Sequence, residues 1–128
     1  MKRKLKFAAV FLFLFCSIQT YPQDSLNPSC RSDKGVVDAC FTVHGRLSNW
    51  NGNPTGRIWV IGTKRTLGIR EDTELPKSLA DKMGNFDDVA TGDFEVCPLT
   101  KESPGRMQIV CVASVSRTTV TRRKPSVE

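Results

Sequence analysis

Cys30, Cys40, Cys97 and Cys111 carry the plainest chemistry in this sequence. No two of them lie closer than ten positions, so the C-x-x-C spacing of a zinc site is missing. An even number of well-separated cysteines reads as two disulfides in an oxidising compartment. Four cysteines allow three pairings. Folding 93–99 against 107–115 about the loop between them sets Cys97 nearly opposite Cys111. That placement favours a cross-strand Cys97–Cys111 bridge and leaves Cys30 with Cys40.

The remaining reactive residues are sparse. His44 is the single histidine and shares the polar face of its strand with Thr42 and Arg46, which reads as a hydrogen-bonded surface side chain. A Cys40–His44 nucleophile pair is conceivable, but export favours a bridged sulfur over a thiolate. No G-x-S-x-G elbow marks a serine nucleophile. Glu71, Asp72 and Glu74, and Asp87 and Asp88 with Asp93, lack the spacing of a known calcium loop and read as solvated turns. No catalytic residue, metal ligand or cofactor site is expected. Trp59 is expected in the core. Trp50 is different: an indole in a polar turn with Asn51 and Asn53 is a candidate contact for a glycan or protein.

The formal charge of +6 invites a nucleic-acid reading, and its distribution removes it. Lys2, Arg3, Lys4 and Lys6 precede the first apolar run, and Arg117, Arg122, Arg123 and Lys124 lie near the C-terminus. Between Asp24 and Ser116 there are 11 Lys/Arg against 12 Asp/Glu, a body near neutrality without a basic face. The basic start and the uncharged run Phe7–Ile18 form a secretory signal over 1–20, with cleavage between Ser17 and Gln23. At about 1.5 Å per residue that run is too short for a ~30 Å hydrocarbon core, so membrane contact is confined to the signal. Cys16 follows Phe15, where a lipoprotein signal needs a small side chain. The chain then divides into a linker at 21–38, a β domain at 39–116 and a frayed basic tail at 117–128.

The elements that hold these residues are mostly strands. Phe41, Val43 and Leu47 alternate with Thr42, His44 and Arg46, and Gly45 on the apolar phase marks a close backbone approach. Asn51-Gly52 and Pro54 make a turn. Arg57–Thr63 is apolar on both faces and belongs in the sheet interior. From Leu67 to Asp88 the alternation stops. There Leu75, Leu79 and Met83 recur every fourth residue behind Pro76, which predicts a helix near 75–83, capped at Gly84 and lying as a flap or plug. Strands resume at Val89, turn at Thr91-Gly92-Asp93, and end in the long run Met107–Val115.

Five pieces stand in a familiar order: Val43-His-Gly-Arg-Leu, Asn51-Gly-Asn-Pro, the strand from Arg57 to Gly62-Thr63, Thr91-Gly-Asp-Phe-Glu-Val, and Pro104-Gly-Arg-Met. This order resembles the transthyretin-like, carboxypeptidase regulatory-like β-sandwich over about 41–116. The helical insertion, the cysteines and Met107 in place of an aromatic depart from it. The resemblance implies an all-β, antiparallel Greek-key sandwich and a non-catalytic accessory role. Enzymes resembling this fold need more than the chain carries. Intradiol dioxygenases take two tyrosines and two histidines for iron, whereas this chain has one of each. Hydroxyisourate hydrolases need several histidines and a C-terminal Tyr-Arg-Gly-Ser, whereas this chain ends Lys-Pro-Ser-Val-Glu.

The expectation is an exported binding module of the periplasm, cell envelope or extracellular space, with no nucleic-acid partner. The alternatives are an envelope structural protein held by its basic ends and a hydrolase acting through His44.

Overall fold

The computed structural model describes residues 23–124. The signal segment, Cys16, Tyr21 and the last four residues lie outside them. Five strands account for the architecture: β1 (Phe41–Asn49), β2 (Gly56–Val60), β3 (Thr66–Ile69), β4 (Asp88–Pro98) and β5 (Gln108–Arg122). A 3-10 turn at Gln23–Ser25, helix α1 (Pro28–Arg31) and helix α2 (Lys77–Lys82) complete it. The chain is mainly β, as expected. Hydrogen bonding runs without a break round one closed barrel in the order β1-β2-β3-β5-β4, where two stacked sheets were expected. The β3–β5 pairing is parallel, with Leu67 beside Gln108 and Ile69 beside Val110.

β3 is the element that the alternation hides. Thr66-Leu-Gly-Ile is only four residues long, and Leu67, Gly68 and Ile69 are all buried, so it shows no polar phase. Without it, β2 and β5 have no link and the sheet cannot close.

The inward side chains follow the period-2 rule. Leu47, Ile58, Leu67, Phe94, Val96, Val110 and Val112 form the core, each at 1% exposure or less. Leu79 of α2 joins them, with Leu75 and Met83 packed alongside, so the helix acts as the expected plug. Its end differs from the expectation. Met83 is the C-cap, and Gly84 is absent from the left-handed residues, so the stop is not a glycine cap. Gly45 meets the expectation of close approach: a Cβ there would lie 2.6 Å from Ile58 Cγ2 and 3.0 Å from the Trp59 carbonyl oxygen.

Thr91-Gly92-Asp93, read as a turn, lies inside β4. Thr91 pairs with Thr119 and Asp93 with Ser116, so β5 carries extra residues opposite Gly92. A Cβ on Gly92 would sit 2.9 Å from the Thr118 Cα and 3.0 Å from the Arg117 carbonyl oxygen. The glycine therefore admits a bulge. The expected frayed tail is also strand as far as Arg122, paired with residues 88–91 of β4.

The expected linker is folded too. Leu26 bridges Ser114, and the Asn27 amide donates to the Ala113 carbonyl at 2.7 Å. The Asn27 side chain, buried, donates to the carbonyls of Glu74 and Val112. Asp33 is tied to Arg70 at 2.7 Å, and its carboxyl is held below the usual range by the Gly35 amide first and Arg70 next.

The bridges are Cys30–Cys111 and Cys40–Cys97, which corrects the expected pairing. The strand register itself is as expected, since Cys97 stands opposite Cys111. What the expectation lacked was the position of the N-terminal partners. α1 docks on β5 and brings Cys30 to Cys111, while the Phe41–Val96 pairing carries Cys40 alongside Cys97. The sulfurs of Cys30, Cys97 and Cys111 all lie within 4.8 Å of one another, so proximity alone did not choose the pairs.

Candidate functional site

On β2 the inward Ile58 forces Trp59 outward. Trp59 is 38% exposed, which corrects its assignment to the core. Arg46 on β1 pairs with Trp59 on one side and with Thr91 of β4 on the other, and Thr91 pairs with Thr119 of β5. A single row across four strands thus reads Trp-Arg-Thr-Thr on the outer surface. The next row holds Arg57 and Ser48 as partners, with Val89 and Thr121 beyond them.

Trp50 stands at the end of β1 and is 48% exposed. Its amide donates to the Thr55 carbonyl at 2.8 Å, and its indole N–H donates to Ser48 Oγ at 2.9 Å. The backbone and the indole N–H are both tied, and the side chain stays half-exposed. Arg57 and Arg123 place their guanidinium carbons 5.6 and 5.5 Å from the Trp50 ring centre, and Arg46 lies 5.7 Å from that of Trp59. These are cation–π distances. The Arg123 amide donates to the Asp87 carbonyl at 2.7 Å, which anchors the end of the strand over the indole. Arg46, Ser48, Trp50, Trp59, Val89, Thr91, Thr121 and Arg123 line a groove of about 660 Å³.

Of the three sequence-based candidates, only Trp50 reaches this groove. Asn51 and Asn53 are exposed but do not line it, and Asn53 instead borders a cavity with Pro54, Arg70 and Glu71. Trp59, Arg46 and Arg123 were missed. The signal for Trp59 was present in the alternation of Ile58 and Val60 with Arg57 and Trp59, which a run apolar on both faces obscured. Nothing local could place Arg123, because its position depends on β5 continuing beyond Ser116.

His44 lies at the other end of this outer surface. Its Nδ1 is 3.0 Å from Asp93 Oδ1, and Arg117 reaches Asp93 Oδ2 at 2.6 Å. The His44 hydrogen bond first, then Arg117, hold the Asp93 carboxyl below the usual range against the opposing effect of burial. Among the described residues the His44 ring has no other hydrogen-bond partner, so no relay to a nucleophile is assembled. Cys40, weighed as that nucleophile, is bonded to Cys97. The carboxylates weighed for calcium are dispersed: Glu71 accepts from the Thr55 amide, Asp72 pairs with Arg70, and Asp88 accepts from the Asn85 amide. Among the described residues the one cluster with ligand-like proximity is Cys30, Cys97 and Cys111, whose sulfurs are in the bridges.

No protein-family model, curated protein or solved structure matches the chain. The functional reading therefore rests on this surface. Among the described residues no helix is long and apolar enough to cross a membrane.

Proposed function

We propose that this chain is an exported, non-catalytic binding module that engages a glycan or protein through the face carrying Trp50 and Trp59. Two disulfides support the exported setting, since such bridges persist in oxidising compartments. The observation that carries the binding role is the pair of exposed indoles on one groove, Trp50 held by Ser48 Oγ and Trp59 by the Thr63 carbonyl at 2.8 Å. Exposed tryptophans are costly to hydrate and are enriched at recognition surfaces. The accessory role first drawn from the transthyretin-like resemblance gains nothing from the barrel topology and rests on this face instead.

Retention through the basic ends is the weaker reading. Arg117 and Arg122 are strand residues engaged by Asp93 and Asp88, which leaves less free charge than a solvated tail would offer.

Trp50 and Trp59 are the only tryptophans in the chain, so emission reports directly on the groove. Titration with a panel of oligosaccharides and peptides is expected to give a saturable emission change with at least one class. A Trp59→Ala chain that keeps its thermal midpoint should lose it. A panel-wide absence of response would overturn the proposal.

A further inference from the structure

The arrangement of the arginines narrows the ligand class, and this step rests on the binding role just proposed. Six basic side chains elsewhere are neutralised by carboxylates: Arg31, His44 when protonated, Arg70, Lys77, Arg117 and Arg122. Arg46, Arg57 and Arg123, like Arg65 and several lysines, have no carboxylate partner among the described residues; what sets Arg46 and Arg123 apart is that they line one groove against the two indoles. A guanidinium stacked on a ring spends its flat face on the contact and keeps its N–H edge for an acceptor. Arg57 lies outside the lining of the groove, and its Nε donates to the Pro54 carbonyl at 3.0 Å. The indoles therefore act as rests that hold two cations, Arg46 and Arg123, at one groove, with their outer N–H donors free. Like charges gathered this way repel, and an anionic ligand relieves that repulsion.

We infer that the groove binds an acidic polysaccharide through its carboxylates, which pair with Arg46 and Arg123. Ser48, Thr91 and Thr121 supply hydroxyls along the same groove, suited to exchange hydrogen bonds with sugar hydroxyls. Single-stranded nucleic acid fits less well. Base stacking needs free aromatic faces, and here guanidiniums lie over them. An acidic peptide would gain little apolar anchorage, because Val89 is the only aliphatic residue in the lining. The groove spans the outer rows of β1, β4 and β5, with β2 contributing Trp59.

The test is calorimetry and tryptophan emission on the full mature chain with galacturonate oligosaccharides. The fully methyl-esterified oligosaccharides, the same backbone without charge, form the second arm. Oligothymidylate and oligoglutamate form the third. Saturable binding of the free acid is expected, at least tenfold tighter than the ester and weakened severalfold between 50 and 200 mM NaCl, about the behaviour of a few released counterions. The Arg46→Ala/Arg123→Ala chain should lose about tenfold in affinity with its thermal midpoint kept. Arg46→Lys/Arg123→Lys, which keeps the charge but not the planar fork, should fall between the two. Equal binding of acid and ester, an unchanged double-alanine variant, or tighter binding of oligothymidylate or oligoglutamate would overturn the inference. Ester binding through Trp59 would leave the binding-module reading standing, whereas silence in every arm would remove both.

Discussion

β4 and β5 carry two regions of opposite character, one near each end of β4. Cys97 and Cys111 are fully buried, and each sulfur there is bonded. Near Val89 and Thr91 the outer surface is open, and its arginines rest on rings with no acid opposite them. The first region spends its chemistry on holding the barrel shut and α1 in place. The second leaves donors unspent. Two strands can serve both ends because alternate residues face opposite ways, so the inner surface keeps a continuous core while the outer one changes from cross-links to a groove.

The largest expected effect is at the sulfur end. The Cys30–Cys111 bridge spans 81 positions, and replacing both residues by alanine should cost about 4 kcal/mol in denaturant unfolding without reductant. A loss near zero would mean that the Asn27 hydrogen bonds alone hold α1. Next is the plug. Leu79→Ala removes a fully buried side chain and should cost about 2–5 kcal/mol, read from the same curves. A smaller loss would show α2 to be a cover and not part of the core.

At the open end the balance reverses. Trp59→Ala should shift stability by no more than about 1 kcal/mol while abolishing the ligand-dependent emission change. A loss as large as that of Leu79→Ala would erase the distinction between the two regions.

Asp93 gives the smallest and most graded effect. Its folded carboxyl titrates below the unfolded value of about 3.9, so its contribution is complete above that pH. The contribution fades as pH falls through the lower, folded value. Asp93→Asn should therefore lower the thermal midpoint at neutral pH and bring the two curves together in strong acid. Parallel curves from pH 7 to pH 2 would show that the His44–Asp93–Arg117 contact contributes nothing.

Much of this architecture is legible where a single strand or helix turn decides it. The alternation in Phe41–Leu47 gives the inward phase of β1, and Gly45 on that phase foretells the Ile58 approach. Leu75, Leu79 and Met83 behind Pro76 give a helix and its buried side. Less legible are elements whose identity depends on a partner. β3 is too short to show a period and exists because β2 and β5 flank it. Gly92 looks like a turn residue until the bulge of β5 is laid across it. Trp59 looks like core because hydrophobicity alone does not say which phase of a strand faces in.

The amino-acid sequence alone determined the number of bridges, the phase of β1 and the place of the plug helix, because cysteine count, two-residue alternation and helical spacing are local properties. Only the tertiary structure decided which sulfur meets which, that the sheet closes through a parallel β3–β5 pair, and that Trp50, Trp59, Arg46 and Arg123 share one groove. Those choices are made by long-range pairing, in which the burial of the whole core selects among partners that no short stretch of sequence distinguishes.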